Sequence, residues 1–222
     1  MEPEKINIAI VGFGNIGSYF YKILEKNKIN IFTKTGKVPF VKYISAKNLN
    51  KKRQIKIPKS KWIKNPLDIP LMDNVDIIFE LIGGAEGVAK KLVFSALKNK
   101  IHVITANKAL LAKNGSELFK IAEKNNVLLL YEAAVAGGIP IVKTIKNNIF
   151  LNKFKKISGI LNGTTNYILT TMFQENLSFE KVLSIAKSKG YTSDTESELD
   201  IGGLDSAHKL TILSTICSWV CC

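Results

Sequence analysis

Cysteine is nearly absent from this chain: Cys217, Cys221 and Cys222 are the only three, and all lie at the extreme end. That clustering gives neither the spaced pairs of a zinc site nor a disulfide framework. It also leaves no thiol before Cys217 to act as a nucleophile. Arginine is scarcer still, with Arg53 alone, so the formal net charge of +14 rests on lysines scattered from Lys5 to Lys209. Bidentate recognition of phosphates and base edges favours arginine over lysine. No motif interleaving basic and aromatic residues accompanies the charge, which therefore reads as a solvated surface able to attract anions, not as a nucleic-acid interface. No apolar run is long enough to span a membrane, and Met1-Glu2-Pro3-Glu4 has neither the basic start nor the apolar core of a signal peptide. The expectation is a cytoplasmic protein that binds neither nucleic acid nor membrane.

What is present is a chain of 222 residues, 46% hydrophobic, enough for one large or two small cores. Its organising stretch is Ile8-Ala9-Ile10-Val11-Gly12-Phe13-Gly14-Asn15-Ile16-Gly17, an apolar run emptying into Gly-x-Gly-x-x-Gly, with an amphipathic pattern from Ser18 to Glu25. Strand, glycine triplet and helix in that order form a dinucleotide-binding turn. Gly12 permits the tight turn, Gly14 lets backbone approach a pyrophosphate, and Gly17 lets helix pack on strand. The helix N-terminus then offers N–H groups and a partial positive charge to the phosphates.

A polar connection over 26–36 leads to a second strand, Val38 to Ile44. A site selective for NAD ends this strand with an acid for the ribose hydroxyls. Here Ser45-Ala46-Lys47 follows, then Lys51, Lys52 and Arg53, a pattern that suits the extra phosphate of NADP. Residues 54–73 contain Pro58, Pro66 and Pro70 and read as irregular. Strands over Val75–Ile82, His102–Thr105 and Val127–Tyr131 alternate with helices over Glu86–Asn99 and Ala109–Asn125. Nearly continuous apolar strands alternating with helices predict a doubly wound parallel sheet of Rossmann type over residues 1–135. Ligands of such sheets sit beyond the carboxyl ends of the strands, which singles out Gly83, Gly84, Asn107, Lys108 and Glu132.

From 136 to 222 the pattern is that of an α+β domain with one strand, Lys156 to Leu161, too few for a sheet that stands alone. Helices are expected to about Ile149, over Tyr167–Gln174 and Phe179–Lys189, and from Leu204 onward. Asp205 and Lys209 lie four apart, on one face of the last helix. Such a pair is more commonly a plain surface ion pair. The backbone of the tight loop around Ala136-Gly137-Gly138 offers carbonyls suited to a small hard cation.

Together these residues resemble the homoserine dehydrogenase family along nearly the whole chain. The matching blocks are GFGNIG at 12–17, ELIGG at 80–84, TANKALLA at 105–112, YEAAVAGGIP at 131–140, GILNGTTNYIL at 159–169, Gly190-Tyr191 and GLDSAHKL at 203–210. The resemblance implies interconversion of L-homoserine and L-aspartate 4-semialdehyde with NADP or NAD, in threonine and methionine biosynthesis, by a full-length homodimer. By carry-over Lys209 transfers the proton, while Asp205 and Lys108 bind or orient the substrate. The cofactor would meet Gly12, Phe13, Gly14, Asn15, Ile16, Gly17, Lys47, Gly83, Gly84, Lys108 and Gly190. A sodium ion would be held by Glu132, Val135, Gly137 and Ile139. Lysine can serve as the acid–base group where burial or neighbouring cations adjust it.

Two departures from the family pattern stand out. Counting back from Asp205 puts Asp194 at the family's substrate-binding glutamate, whereas counting from Tyr191 puts Ser193 there; Asp194, which keeps the carboxylate, is preferred. Family members also continue well beyond Cys222, so the substrate domain is expected to be incomplete. A phosphorylating semialdehyde dehydrogenase would need a thiolate nucleophile that the sequence does not supply before Cys217. The remaining alternative is a short nucleotide-binding fragment with weak or no turnover.

Overall fold

The structure, a computed structural model, describes residues 3–49, 53, 55–148 and 153–219; the side chains of 194–196 and 219 lie outside that description. The chain divides into two compact units, Met1–Ala134 and Val135–Cys222.

The first unit is a five-stranded sheet in the order β2-β1-β3-β4-β5, with every pair parallel. Its strands are β1 (Glu4–Val11), β2 (Lys37–Ser45), β3 (Ile77–Glu80), β4 (His102–Thr105) and β5 (Leu129–Leu130). Helices α1 (Asn15–Lys26), α2 (Lys28–Thr35), α3 (Val88–Lys98) and α4 (Lys108–Lys124) connect them. β1 forms because Ile8-Ala9-Ile10-Val11 is apolar on both faces, and all four residues are buried. Ile8 and Ile10 pack with Phe13, Leu24, Val41 and Ile44, and Trp62 closes this cluster. A fully buried aliphatic side chain such as Ile10 or Ile44 contributes about 1.5–3 kcal/mol.

The polar connection expected over 26–36 is instead α2, a two-turn helix ended by Gly36 at φ 70°. Its Ile31 packs against the β1–β2 cluster, and tertiary packing overrides a weak local pattern. β3 and β5 are shorter than their apolar runs. Asp76 lies outside β3 and uses its carboxylate to accept the Asn7 N–H at 2.6 Å.

The second unit is helical among its described residues: α5 (Ile141–Asn148), α6 (Gly163–Glu175), α7 (Phe179–Ser188), α8 (Asp194–Ile201) and α9 (Leu204–Trp219). The strand expected over Lys156–Leu161 does not form; residues 153–162 have no regular secondary structure. A strand exists only by pairing, and no described segment lies alongside it as a partner. α8 was not anticipated, because its sequence carries no apolar stripe.

Candidate active site

The sheet register brings the strand ends of the first unit together. Val11 pairs with both Ser45 and Glu80, and Glu80 pairs with Thr105, so these four end their strands in one row. The order of strands reverses between β1 and β3, and in sheets of this kind ligands bind in the crevice at such a switch point.

Gly12 leads the turn with φ 106°, donating its N–H to the Ser45 carbonyl at 3.0 Å. A Cβ there would collide with the backbone of Leu81 and Ile82, so the glycine turn and the β3–α3 loop touch through a gap only glycine leaves. A Cβ on Gly17 would likewise strike the Gly12 carbonyl. Gly14 differs: as the cap of α1 it has an ordinary φ of −84°, and a Cβ would meet nothing within 4 Å. Asn15 and Ile16 are exposed beside it, whereas the Phe13 side chain is buried edge-on against Tyr21 and Trp62. Of Phe13, therefore, the backbone faces the turn and the ring belongs to the core.

Beyond β2, Lys47 is exposed, and Lys51 and Lys52 lie outside the described residues. Arg53 turns its guanidinium inward. Its Nε donates to the Phe13 carbonyl at 3.3 Å and its Nη2 to that of Asn48 at 2.7 Å, while the cation rests 4.8 Å from the Trp62 ring. It straps the loop after β2 to the glycine turn.

Beyond β3 and β4 lies a network that the sequence reading missed. Glu80 is fully buried; one carboxylate oxygen accepts the N–H groups of Ile82 at 2.8 Å and Gly83 at 3.0 Å, and the other accepts the Thr105 hydroxyl at 2.5 Å. Thr105 accepts the Asn107 N–H at 2.9 Å. Asn107 caps α4 by accepting the Leu110 N–H, and its amide donates to the Gly84 carbonyl at 2.8 Å. Gly83 and Gly84 thus owe their places to β4 and α4 as much as to their own loop. Lys108, partly exposed, opens α4. The signal available in the sequence was Glu80 itself, an acid inside an apolar strand.

The second unit holds a polar cluster of its own. Asn162 caps α6, accepting the Thr165 N–H at 2.8 Å. Its amide donates to Asp200 at 2.7 Å and to Asp205 at 3.0 Å. Lys209 donates to the same Asp205 oxygen at 2.6 Å and to the Leu161 carbonyl at 2.7 Å. Thr192, also buried, donates to Asp200 at 3.2 Å. Asp205 and Lys209 are therefore no surface pair: their side chains are 7% and 19% exposed. Asp200 and Thr192 were missed as partners. Their signal was two acids flanking Gly202-Gly203, a turn that folds α8 back onto α9.

Gly190, at φ 77°, ends α7, and the next residue, Tyr191, stacks on Tyr167 with ring centroids 4.2 Å apart. The Asp194 backbone opens α8, but its side chain is not described; Ser193 is exposed. Glu132 lies in a short 3-10 turn of the first unit. Val135, Gly137 and Ile139 belong to the second, where Ala136 (φ 50°) and Gly138 (φ 88°) bend the chain sharply and Ile139 N–H reaches the Ala136 carbonyl at 2.8 Å. No described helix is long and apolar enough to cross a membrane.

A glycine turn at the switch point of a parallel α/β sheet defines a dinucleotide-binding protein of Rossmann type. Comparison with known proteins narrows this. The family model for the homoserine dehydrogenase NAD-binding domain matches residues 12–132, and that for homoserine dehydrogenase matches 140–220. The chain belongs to the homoserine dehydrogenase family. It is 39% identical to the homoserine dehydrogenase of Neisseria gonorrhoeae over 97% of this chain and 48% of that one, and 37% identical to the Bacillus subtilis enzyme over 96% and 49%. A homoserine dehydrogenase structure from Thiobacillus denitrificans superposes with a TM-score of 0.83 at 37% identity, over 96% of this chain and 49% of that one. A hyperthermophilic archaeal homoserine dehydrogenase in complex with NADPH superposes at 0.80 and 26% identity, over 96% and 69%. The chain spans about half the length of the curated relatives it matches.

Proposed function

We propose that this chain carries the cofactor turn and the proton-transfer group of a cytoplasmic oxidoreductase that interconverts L-homoserine and L-aspartate 4-semialdehyde with NADP(H). The observation that carries the reading is the Lys209–Asp205 pair, held in a buried polar cluster by Asn162 and Leu161. An alcohol losing hydride from carbon must also lose a proton from oxygen, so an acid–base group has to reach that oxygen. An ammonium has three N–H donors. Among the described residues Lys209 directs them to Asp205 and Leu161, which leaves one for a substrate oxygen. In the reducing direction that donor protonates the aldehyde oxygen as hydride arrives; in the oxidising direction the neutral amine takes the hydroxyl proton. Asp205 holds the amine in place, and Asp200 offers a second carboxylate for the cationic amino group of the substrate.

The residues fit a nicotinamide dinucleotide, which supplies or accepts the hydride. Open space above Gly14 leaves backbone bare at the N-terminus of α1, where a pyrophosphate would lie. Asn15, Ile16, Gly83, Gly84 and Lys108 would line the rest, and the family resemblance adds Gly190. Exposed Lys47, with no acid at Ser45 or Ala46, supports NADP over NAD. Within the second unit the backbone of Val135, Gly137 and Ile139 offers carbonyl oxygens that would suit a sodium ion.

The irregular 153–162 segment favours a second reading, a cofactor-binding chain with little turnover, because a misplaced catalytic group costs on the order of a hundredfold per ångström. Titrating NADPH by fluorescence and following homoserine oxidation on the same preparation separates the two. Absence of both binding and turnover would overturn the proposal.

A further inference from the structure

The β3–α3 loop, residues 81–87, is an unpromising element to hold still. Gly83, Gly84 and Gly87 have φ of 83°, 89° and 73°, and residues 82–84 and 86–87 are exposed, so its own packing fixes little. Glycines at positive φ carry the largest ordering cost of any residue. Nevertheless the loop is held by side chains at nearly every step. Glu80 takes the N–H groups of Ile82 and Gly83, Asn107 takes the Gly84 carbonyl, and Asn114 reaches the Ala85 carbonyl at 3.3 Å. Lys113 pairs with Glu86 at 2.8 Å.

Four hydrogen bonds close a circuit. Glu80 accepts from Thr105, Thr105 accepts from Asn107, Asn107 donates to Gly84, and the loop returns through Gly83 to Glu80. The circuit ties the ends of β3 and β4 together at their carboxyl edge. Its core, Glu80 at 0% and Thr105 at 1% exposure, is out of water altogether. Taking a carboxylate out of water is costly unless hydrogen bonds offset it, and apolar residues at such places often serve stability equally well. Neighbouring Ile78 and Val103 show that the sheet readily accepts them. What an apolar residue could not do is grip the backbone of an exposed glycine loop.

That loop touches the glycine turn directly, through the gap at Gly12. Adenosine ribose is read at the end of β2, so the nicotinamide half of a bound dinucleotide extends over the other side of the switch point, above β3 and β4. We propose that Glu80 is a positioning residue for that half: through Ile82, Gly83 and the Thr105–Asn107 relay it fixes the two loops that receive the nicotinamide end. The proposal rests on the dinucleotide reading given above.

The test uses the full chain with two probes, NADPH and 2′,5′-ADP, which carries only the adenosine half. Thr105→Val cuts the relay while keeping side-chain shape, Thr105→Ser keeps the hydroxyl, and Glu80→Gln puts an amide donor where Thr105 now donates. Thr105→Val and Glu80→Gln are expected to weaken NADPH at least tenfold while 2′,5′-ADP stays within twofold, and Thr105→Ser to recover NADPH to within threefold. Hydrogen exchange should rise over 81–87 without a comparable rise over Ile8–Val11. Equal losses for both probes, or no loss for either, would overturn the positioning role and leave the dinucleotide reading standing. Failure of the unmodified chain to bind either probe would overturn that reading and the positioning role with it.

Discussion

Lys209 and Asp205 sit one turn apart on α9 with Nζ 2.6 Å from Oδ2, and the same carboxylate oxygen also receives the amide of Asn162. Two charges and an amide thus converge in a region that is largely closed to water. Lys209→Met should abolish homoserine turnover while leaving the NADPH Kd within about threefold of the unmodified chain. Removing the cation takes the ion pair from a buried carboxylate, so the second unit should also lose on the order of 3 kcal/mol. Turnover and a fluorescence titration check the first statement, and urea unfolding followed on the second unit checks the other. A parallel loss of cofactor affinity would assign Lys209 a structural role.

The glycine turn separates two requirements that sequence motifs merge. Gly12→Ala should cost several kcal/mol, because it places a methyl group against the Leu81 carbonyl at φ 106°. Gly14→Ala should leave the melting temperature within about 2 °C, since its φ is ordinary and its Cβ points into open space. The same methyl group should weaken NADPH at least tenfold, by standing where the pyrophosphate approaches. Thermal melts and cofactor titrations of both variants check this, and unchanged affinity in Gly14→Ala would place the phosphates elsewhere.

What the sequence made legible was local. β1 and the glycine turn could be read because an apolar run, three spaced glycines and a helical pattern agree over residues 8–25. β4 was read to the residue. What escaped depends on contacts between distant positions. Glu80 and Thr105 are 25 residues apart and become neighbours only through the β3–β4 register. Asp200 joins Asn162 across 38 residues, after α8 and Gly202-Gly203 have folded back. The segment Lys156–Leu161 was misread for the opposite reason: its pattern is strand-like, but strand formation belongs to a pair of segments and not to one.

In folds of this type the ribose of the cofactor is read at the end of the second strand. Ala46 is partly buried there, followed by exposed Lys47, and neither it nor Ser45 offers an acid to ribose hydroxyls. Ala46→Asp should shift the ratio of NADPH to NADH affinity toward NADH by at least tenfold, through repulsion of the 2′-phosphate and new hydrogen bonds to the free hydroxyls. Competitive titration of the two cofactors measures this directly. Tighter binding of NADH by the unmodified chain would show the preference to be the reverse.

The two units should differ in how firmly they hold their backbone. In the first, Ile8–Val11 and Ile77–Glu80 are central strands hydrogen-bonded on both sides, between β2 and β4. In the second, among the described residues no backbone N–H from 153 to 161 reaches another backbone group, although the Leu161 carbonyl must accept Lys209. Amides that exchange only by global opening report the whole stability of a unit, whereas unpaired exposed amides exchange almost freely. Hydrogen exchange should therefore protect Ile8–Val11 and Ile77–Glu80 strongly and leave 157–161 fast. Because Leu161 fixes one of the Lys209 donors, motion in that segment would loosen Lys209 itself, and turnover should be weak even where NADPH binds well. Strong protection through 157–161, together with turnover in the ordinary range for dehydrogenases, would show that the segment is held by pairing the described residues do not contain.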